Sequence, residues 1–206
     1  MAKGDLSARG KKVREQGAWL VLEDESGQSL RPPTACTWPR IGLAPQVKAS
    51  GKGSGRISLA GMVCARAGER TRLMYRILVH HPGRRSERKG FRERDFARLL
   101  DMAHQQIGGN IVLVWDNSSH HKDALMRELL AARAQWLTVF RLPPYAPHLN
   151  PAEGVWAHLK NDLGILAART ADHLAELTRT RLKRMQYRPS LLDGFIAETG
   201  LTPAPP

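Results

Sequence analysis

Asp24, Asp116 and Glu153 are the residues of this chain whose type and setting could do chemistry together. Asp24 closes the apolar, β-forming run 18–24 (AWLVLED), and Asp116 follows the apolar run 111–115 (IVLVW). Glu153 falls in the first turn of a helix opened by Pro151, a favoured first-turn residue. In open sheets, sites form outside the carboxyl ends of strands and at adjoining helix starts. If the strands of Asp24 and Asp116 are neighbours, the two acids meet at one edge of the sheet, and Glu153 reaches the same point from the side. Clustered carboxylates repel one another and need a cation. Hard divalent cations prefer oxygen ligands, and Mg²⁺ takes one or two carboxylates plus waters and substrate phosphates. Two such ions, about 3.5–4 Å apart, clamp an in-line phosphoryl displacement. Singly, each acid also suits a plainer role. Any of Glu23, Asp24 and Glu25 reads as an exposed strand-end acid, Asp116 as an Asx turn or helix cap, and Glu153 as a complement to a helix dipole.

Positioning these acids requires a particular order of elements. Residues 1–17 are polar and basic and read as a lead-in or linker remnant. Residues 26–54 are rich in Pro, Gly and Ser and read as loop. Strand-like runs follow at 56–64 and 71–80, with Gly68 in the turn between them. With the strand of Asp24 they predict an antiparallel meander. Residues 83–90 form a charged loop, and from Phe91 the apolar period turns helical until Gly108 and Gly109, a C-cap signal. After the strand 111–115, Ser118 or Ser119 can cap a helix carrying Leu125, Met126, Leu129 and Leu130. Another strand is expected at 136–140, a Pro-rich turn at 143–147, an amphipathic basic helix at 171–186 and a short helix at 191–198 before a frayed tail. The expected fold class is α/β: a mixed five-stranded sheet, an antiparallel meander plus parallel strands, with flanking helices. The main domain is placed at 18–188, with the short helix and tail at 189–206.

Composition narrows the partners. The chain has 206 residues, enough for one domain, and 42% are hydrophobic, enough for a real core. Its net charge is +13. The excess is concentrated in residues 1–100, which hold 21 Lys+Arg against 9 Asp+Glu, whereas 101–206 hold 11 against 10. The densest stretch, 84–98, contains Arg84, Arg85, Arg88, Lys89, Arg92, Arg94 and Arg98. Such a surface attracts a polyanion, nucleic acid above all. The apolar runs 111–115 and 163–168 are far shorter than the ~18 residues that would cross a bilayer, so no membrane partner is expected. Cys36 and Cys64 stand outside any CxxC pair, which argues against a disulfide framework or a thiolate zinc site and for a cytoplasmic setting.

Three segments carry a more specific signal. Residues 142–156, LPPYAPHLNPAEGVW, followed by Leu159-Lys160, closely resemble the signature around the third acid of DDE transposases, best matched by bacterial insertion-sequence enzymes related to the mariner superfamily. There the pattern is L-P-x-Y-S-P-x-L-N-P-I-E-x-x-W. Residues 114–121, VWDNSSHH, resemble that family's second-acid motif, and Leu22 to Gly27, LEDESG, its first. Thr37-Trp38 and Gly42 to Pro45 resemble its loop after the first strand, and the 36 residues between Asp116 and Glu153 suit its spacing. The resemblance spans roughly residues 18 to 165. Ala146 and Ala152 depart from the family's usual Ser and Ile.

The resemblance implies a ribonuclease H-like fold, with 18–188 as a DDE catalytic domain whose Asp24, Asp116 and Glu153 bind Mg²⁺ or Mn²⁺, two ions in all. It implies double-stranded DNA as substrate, cleavage at an element end, and strand transfer to a target by a homodimer on the bacterial nucleoid. Family members carry an N-terminal helix-turn-helix region, here expected on an upstream polypeptide, because only about 17 residues precede the first strand. Arg84, Arg85, Arg88, Lys89, His121 and Lys160 are candidate DNA contacts. Asn117, Tyr145, Asn150 and Pro151 are candidate supports of the turns that present the acids, and Trp156 reads as core. Two alternatives stand beside this reading: another ribonuclease H-like nuclease, and an inactive or domesticated DNA-binding remnant.

Overall fold

The segment Ile111–Trp115 is apolar at every position and buried at every position, so it can only be a central strand covered on both faces. A computed structural model describes residues 17–31, 55–81, 88, 90–116, 123–143, 146–164, 166 and 168–201. In it the strands are β1 (Trp19–Ser29), β2 (Arg56–Ala65), β3 (Arg72–His80), β4 (Ile111–Trp115) and β5 (Leu137–Arg141). They form one sheet in the order β3-β2-β1-β4-β5. The β1–β2 and β2–β3 pairs are antiparallel, and β1–β4 and β4–β5 are parallel. This is the expected meander with parallel strands added. Gly68, at φ 73°, takes the left-handed turn between β2 and β3 that a side chain would resist.

The helices are α1 (Glu93–Ile107), α2 (Ala124–Ala131), α3 (Pro151–Gly164), α4 (Ala171–Gln186) and α5 (Pro189–Glu198). Asp95 accepts from the Arg92 N–H at 3.0 Å at the start of α1, and Gly108 ends it at φ 65°. Thr170 caps α4, its hydroxyl accepting from the His173 N–H. One face of the sheet packs α1 and α2 around Trp19, Met62, Phe96 and Leu113. The other packs α3, α4 and α5 around Leu59, Trp156, Leu182, Leu192 and Ile196. A small third cluster, Leu22, Val114, Leu142 and Leu149, lies under the end of the parallel strands.

Several expectations change. The first strand does not end at Asp24 but runs on to Ser29, so residues 26–29 are strand rather than loop. The reason is the ladder to β2, which continues from Asp24↔Gly61 to Ser29↔Arg56. Glu23 is 1% exposed, not a surface acid. Side chains alternate along a strand, so Glu23 follows Trp19 and Val21 to the α1 side while Asp24 follows Leu20 and Leu22 to the other. Helix α2 begins at Ala124 behind Asp123. Ser118 and Ser119, together with Thr37, Trp38 and Gly42 to Pro45, lie outside the described residues.

Candidate active site

The parallel pairing of β1 with β4 ends at Leu22↔Val114. Asp24 is two residues past Leu22 and Asp116 two past Val114, so both acids emerge at the same end of this strand pair. Beyond that point β1 keeps β2 on one side and loses its parallel partner on the other. The gap is a crevice at the carboxyl end of the parallel strands, where sites in open α/β sheets form.

Glu153 comes to this crevice on the first turn of α3, and Asn150 sets where that turn sits. Its Nδ2 donates to the Glu23 carbonyl at 2.9 Å, and its Oδ1 accepts from the Ala152 N–H at 3.1 Å. The Glu153 N–H donates to the Asn150 carbonyl at 3.1 Å. One buried amide thus caps the helix and ties it to the strand of Asp24. Pro151 fills the first helical position, where a missing N–H costs nothing. Trp156 lies one turn on, fully buried, and its indole Nε1 donates to Asp24 Oδ2 at 3.1 Å. Gly61, opposite Asp24 on β2, makes room for that ring: a Cβ there would lie 2.7 Å from Trp156.

The electrostatics follow from this packing. Burial, and after it the charges of Glu153 and Asp116, raise the Asp24 carboxyl from 3.8 to about 7, against hydrogen bonds from the Glu25 backbone and Trp156 that lower it. Burial also lifts Glu23 well above the ordinary carboxylate range, with Glu25, Asp24 and Asp116 adding to it. Glu153 and Asp116 thus both act on Asp24 across the crevice. Among the described residues, no three His, Cys, Asp or Glu side chains are already drawn in around a common metal position. The donor set nevertheless fits a hard cation: carboxylate oxygens, with the Asp24 carboxyl raised by burial and then by its anionic neighbours. A cleft of about 530 Å³ opens beside Glu153, lined also by His148, Gly154, Phe195 and Thr199.

Of the other predicted residues, Arg88 donates to Asp95 at 2.6 Å and so braces the start of α1. Lys160 is half-buried on α3. Arg84, Arg85, Lys89, Asn117, His121 and Tyr145 lie outside the described residues. Sequence reasoning missed the bond from Trp156 to Asp24, the burial of Glu23 and the need for Gly61. The available signal was the spacing of Glu153 and Trp156, three residues apart and so on one helix face.

Solved structures share this architecture. The Mos1 transposase paired-end complex with left transposon end matches at TM-score 0.60 and 15% identity, over 96% of this chain and 60% of that one. The mariner Mos1 paired-end complex with Mg matches at 0.59 and 16%, over 96% and 60%. The catalytic domain of Mos1 mariner transposase matches at 0.52 and 14%, over 98% and 91%. The chain thus spans about 60% of the Mos1 chains in the DNA complexes. The fold is ribonuclease H-like. The family is narrower: residues 19–177 match the model of the DDE superfamily endonucleases, and the chain belongs to that family. Among curated protein sequences, none matches.

Proposed function

We propose that this chain is a transposase catalytic domain that cleaves DNA phosphodiester bonds and transfers the freed end to target DNA, with Asp24, Asp116 and Glu153 as its metal-holding catalytic acids. One observation carries the reading: burial, with the charges of Glu153 and Asp116, holds Asp24 near pKa 7 at the carboxyl end of two parallel strands. Bound Mg²⁺ or Mn²⁺, two ions in this reading, would supply the charge that activates the attacking oxygen and stabilises the leaving one. The chain's own residues do the positioning. Trp156 orients Asp24 by its N–H, and Asn150 fixes the approach of Glu153 to β1. The domain is taken as 18–188, and α5 adds Leu192 and Ile196 to the same core.

The substrate is double-stranded DNA. First a water attacks at an element end, and then the released 3′-hydroxyl attacks the target. Two ends must be paired for the second step, so the working unit is a homodimer. Arg84, Arg85, Arg88, Lys89, His121 and Lys160 are its proposed phosphate contacts, with Asn117, Tyr145 and Pro151 shaping the turns around the acids. No helix among the described residues is long and apolar enough to cross a membrane. The DNA reached is that of a bacterial nucleoid, a setting supported by the resemblance of residues 142–156 to insertion-sequence enzymes.

Conversion of supercoiled plasmid to open circle tests the reading. The wild-type chain should nick with Mg²⁺ or Mn²⁺ and stop when EDTA is added, and Asp116→Asn and Glu153→Gln should each abolish nicking. Equal nicking by Asp116→Asn would overturn the assignment. Cleavage of RNA–DNA hybrids alone would point instead to another ribonuclease H-like nuclease.

A further inference from the structure

The carboxylates occupy one pole of the sheet, and the opposite pole carries a different set of groups. There β1 begins at Trp19, β2 ends at Ala65, β3 begins at Arg72 and α4 ends at Gln186. Asp24 is five residues along β1 from Trp19, about 16 Å at the rise of a strand. A second cleft of about 530 Å³ opens at this pole, lined by Arg70, Thr71, Arg72, Gln106, Gln186 and Tyr187.

Its arginines are held in place. Arg70 Nη2 donates to the Gln186 carbonyl at 2.8 Å, and Arg72 Nη1 to the Gln106 carbonyl at 3.3 Å. The guanidinium carbons of Arg66 and Arg72 lie 4.8 and 5.6 Å from the centroid of the Trp19 ring. Gln186 in turn donates to the Leu73 carbonyl at 2.7 Å, which locks the end of α4 to β3. A guanidinium has five N–H donors, so one backbone bond leaves most of them to point outward. Tyr187 beside them is 69% exposed. Lys183, Arg184 and Arg188 are exposed within four residues of it. The nearby acids are engaged: Glu69 pairs with Arg66 at 2.8 Å, and Asp193 accepts from Thr71 at 2.5 Å.

We infer that this pole is a second, non-catalytic contact surface for duplex DNA, in which Arg70, Arg72 and Arg188 meet phosphates and Tyr187 lies against the sugar edge. The inference rests on the proposed function only in taking DNA as the polyanion, and it requires none of the metal chemistry. Pre-oriented guanidiniums match phosphate oxygens in a bidentate way and lose little entropy on binding. Contacts of this kind give salt-dependent affinity without base choice. A duplex engaged here is held on the far side of the sheet from the carboxylates, so the surface suits a second DNA segment or the flank of the one being cut.

Fluorescence anisotropy of a short labelled duplex in EDTA tests it. The double variant Arg70→Gln/Arg188→Gln should bind about tenfold more weakly, and the slope of log affinity against log salt should become shallower by about 2, as expected for two lost phosphate contacts. Tyr187→Ser should weaken binding and leave the slope unchanged. If Arg70→Gln loosens the fold in thermal unfolding, Lys183→Gln/Arg188→Gln replaces it with the same expectation. Affinity within twofold of wild type, or no duplex affinity in the wild type, overturns the inference. Displacement of the DNA by polyglutamate at equal charge also overturns it and marks an acidic-protein surface. Nicking by Asp116→Asn is read separately, so either idea can fail without the other.

Discussion

Trp156 serves two demands at the scale of single residues. Its ring is buried among Leu59, Val63 and Leu159, and its one polar atom is spent on Asp24. An indole N–H buried without a partner costs about 1–3 kcal/mol, and here the partner is a candidate catalytic carboxylate. Trp156→Phe keeps most of the ring and removes the N–H. Asp24 then loses a hydrogen bond that favours its charged form, so its pKa should rise above about 7. Plasmid nicking should fall about 10–100-fold, the usual effect of removing a group that orients a metal ligand, and half-maximal nicking should require more Mg²⁺. Wild-type nicking at wild-type Mg²⁺ would show that the bond does not contribute. Asn150 works on the other side of the crevice, where its two ends join α3 to β1 across more than a hundred residues of chain.

Between elements, the close packing of α3 depends on two glycines, one against the sheet and one against α5. Gly61 on β2 faces Trp156, and Gly154 on α3 faces Phe195 of α5, where a Cβ would meet the ring at 2.8 Å. Gly→Ala inside a strand ordinarily gains about 0.5–1 kcal/mol by limiting the unfolded chain. At Gly61 the added carbon would sit 2.7–2.8 Å from two atoms of a buried indole. Overpacking of this kind costs about 1–3 kcal/mol, and it exceeds the entropic gain. Gly61→Ala should therefore lower the midpoint in urea and, by pushing Trp156 off Asp24, reduce nicking as well. A variant more stable than wild type would mean that the helix can retreat from the sheet without strain. The long β1 matters at this scale too. Its antiparallel half supports Asp24 from β2 after its parallel half has ended, and this leaves the acid at a crevice instead of on a loop.

For the whole molecule, stability and metal binding meet at the same carboxyls. Asp24 titrates near 7 in the folded chain against 3.8 for the free group, so the folded state keeps a proton that the unfolded state has released. Stability from this group is complete below about pH 4 and is lost as pH rises through about 7. Glu23 contributes in the same direction, from deeper burial. A divalent cation competes with that proton, so its stabilisation should grow with pH. Thermal unfolding with and without Mg²⁺ should show a larger rise in Tm at about pH 8 than at about pH 5, and Asp24→Asn should remove most of the difference. Equal shifts at both pH values would mean that Mg²⁺ does not bind at Asp24. The surplus positive charge has its own distribution. Arg66, Arg70 and Arg72 and the basic segment 84–98 belong to the first hundred residues, and the near-neutral second half, which holds Asp116 and Glu153, adds Lys183, Arg184 and Arg188 to the pole.

Residue types and periods alone determined much of this protein. The apolar run 111–115 could only be a buried strand, Gly108 marked a helix end, and the strings around Asp24, Asp116 and Glu153 pointed to oxygen-ligand chemistry on a ribonuclease H-like sheet. These are local signals, because a strand's alternation, a cap and a turn are written in neighbouring residues. Tertiary structure decided what depends on distant partners. The extent of β1 was set by its ladder to β2, which ends at Ser29↔Arg56. Glu23 was buried by the phase of that strand, and Trp156 was aimed at Asp24 by a hydrogen bond spanning 132 residues of sequence. A carboxylate's chemistry follows from its burial and its neighbours, and neither exists until the sheet and α3 have closed on each other.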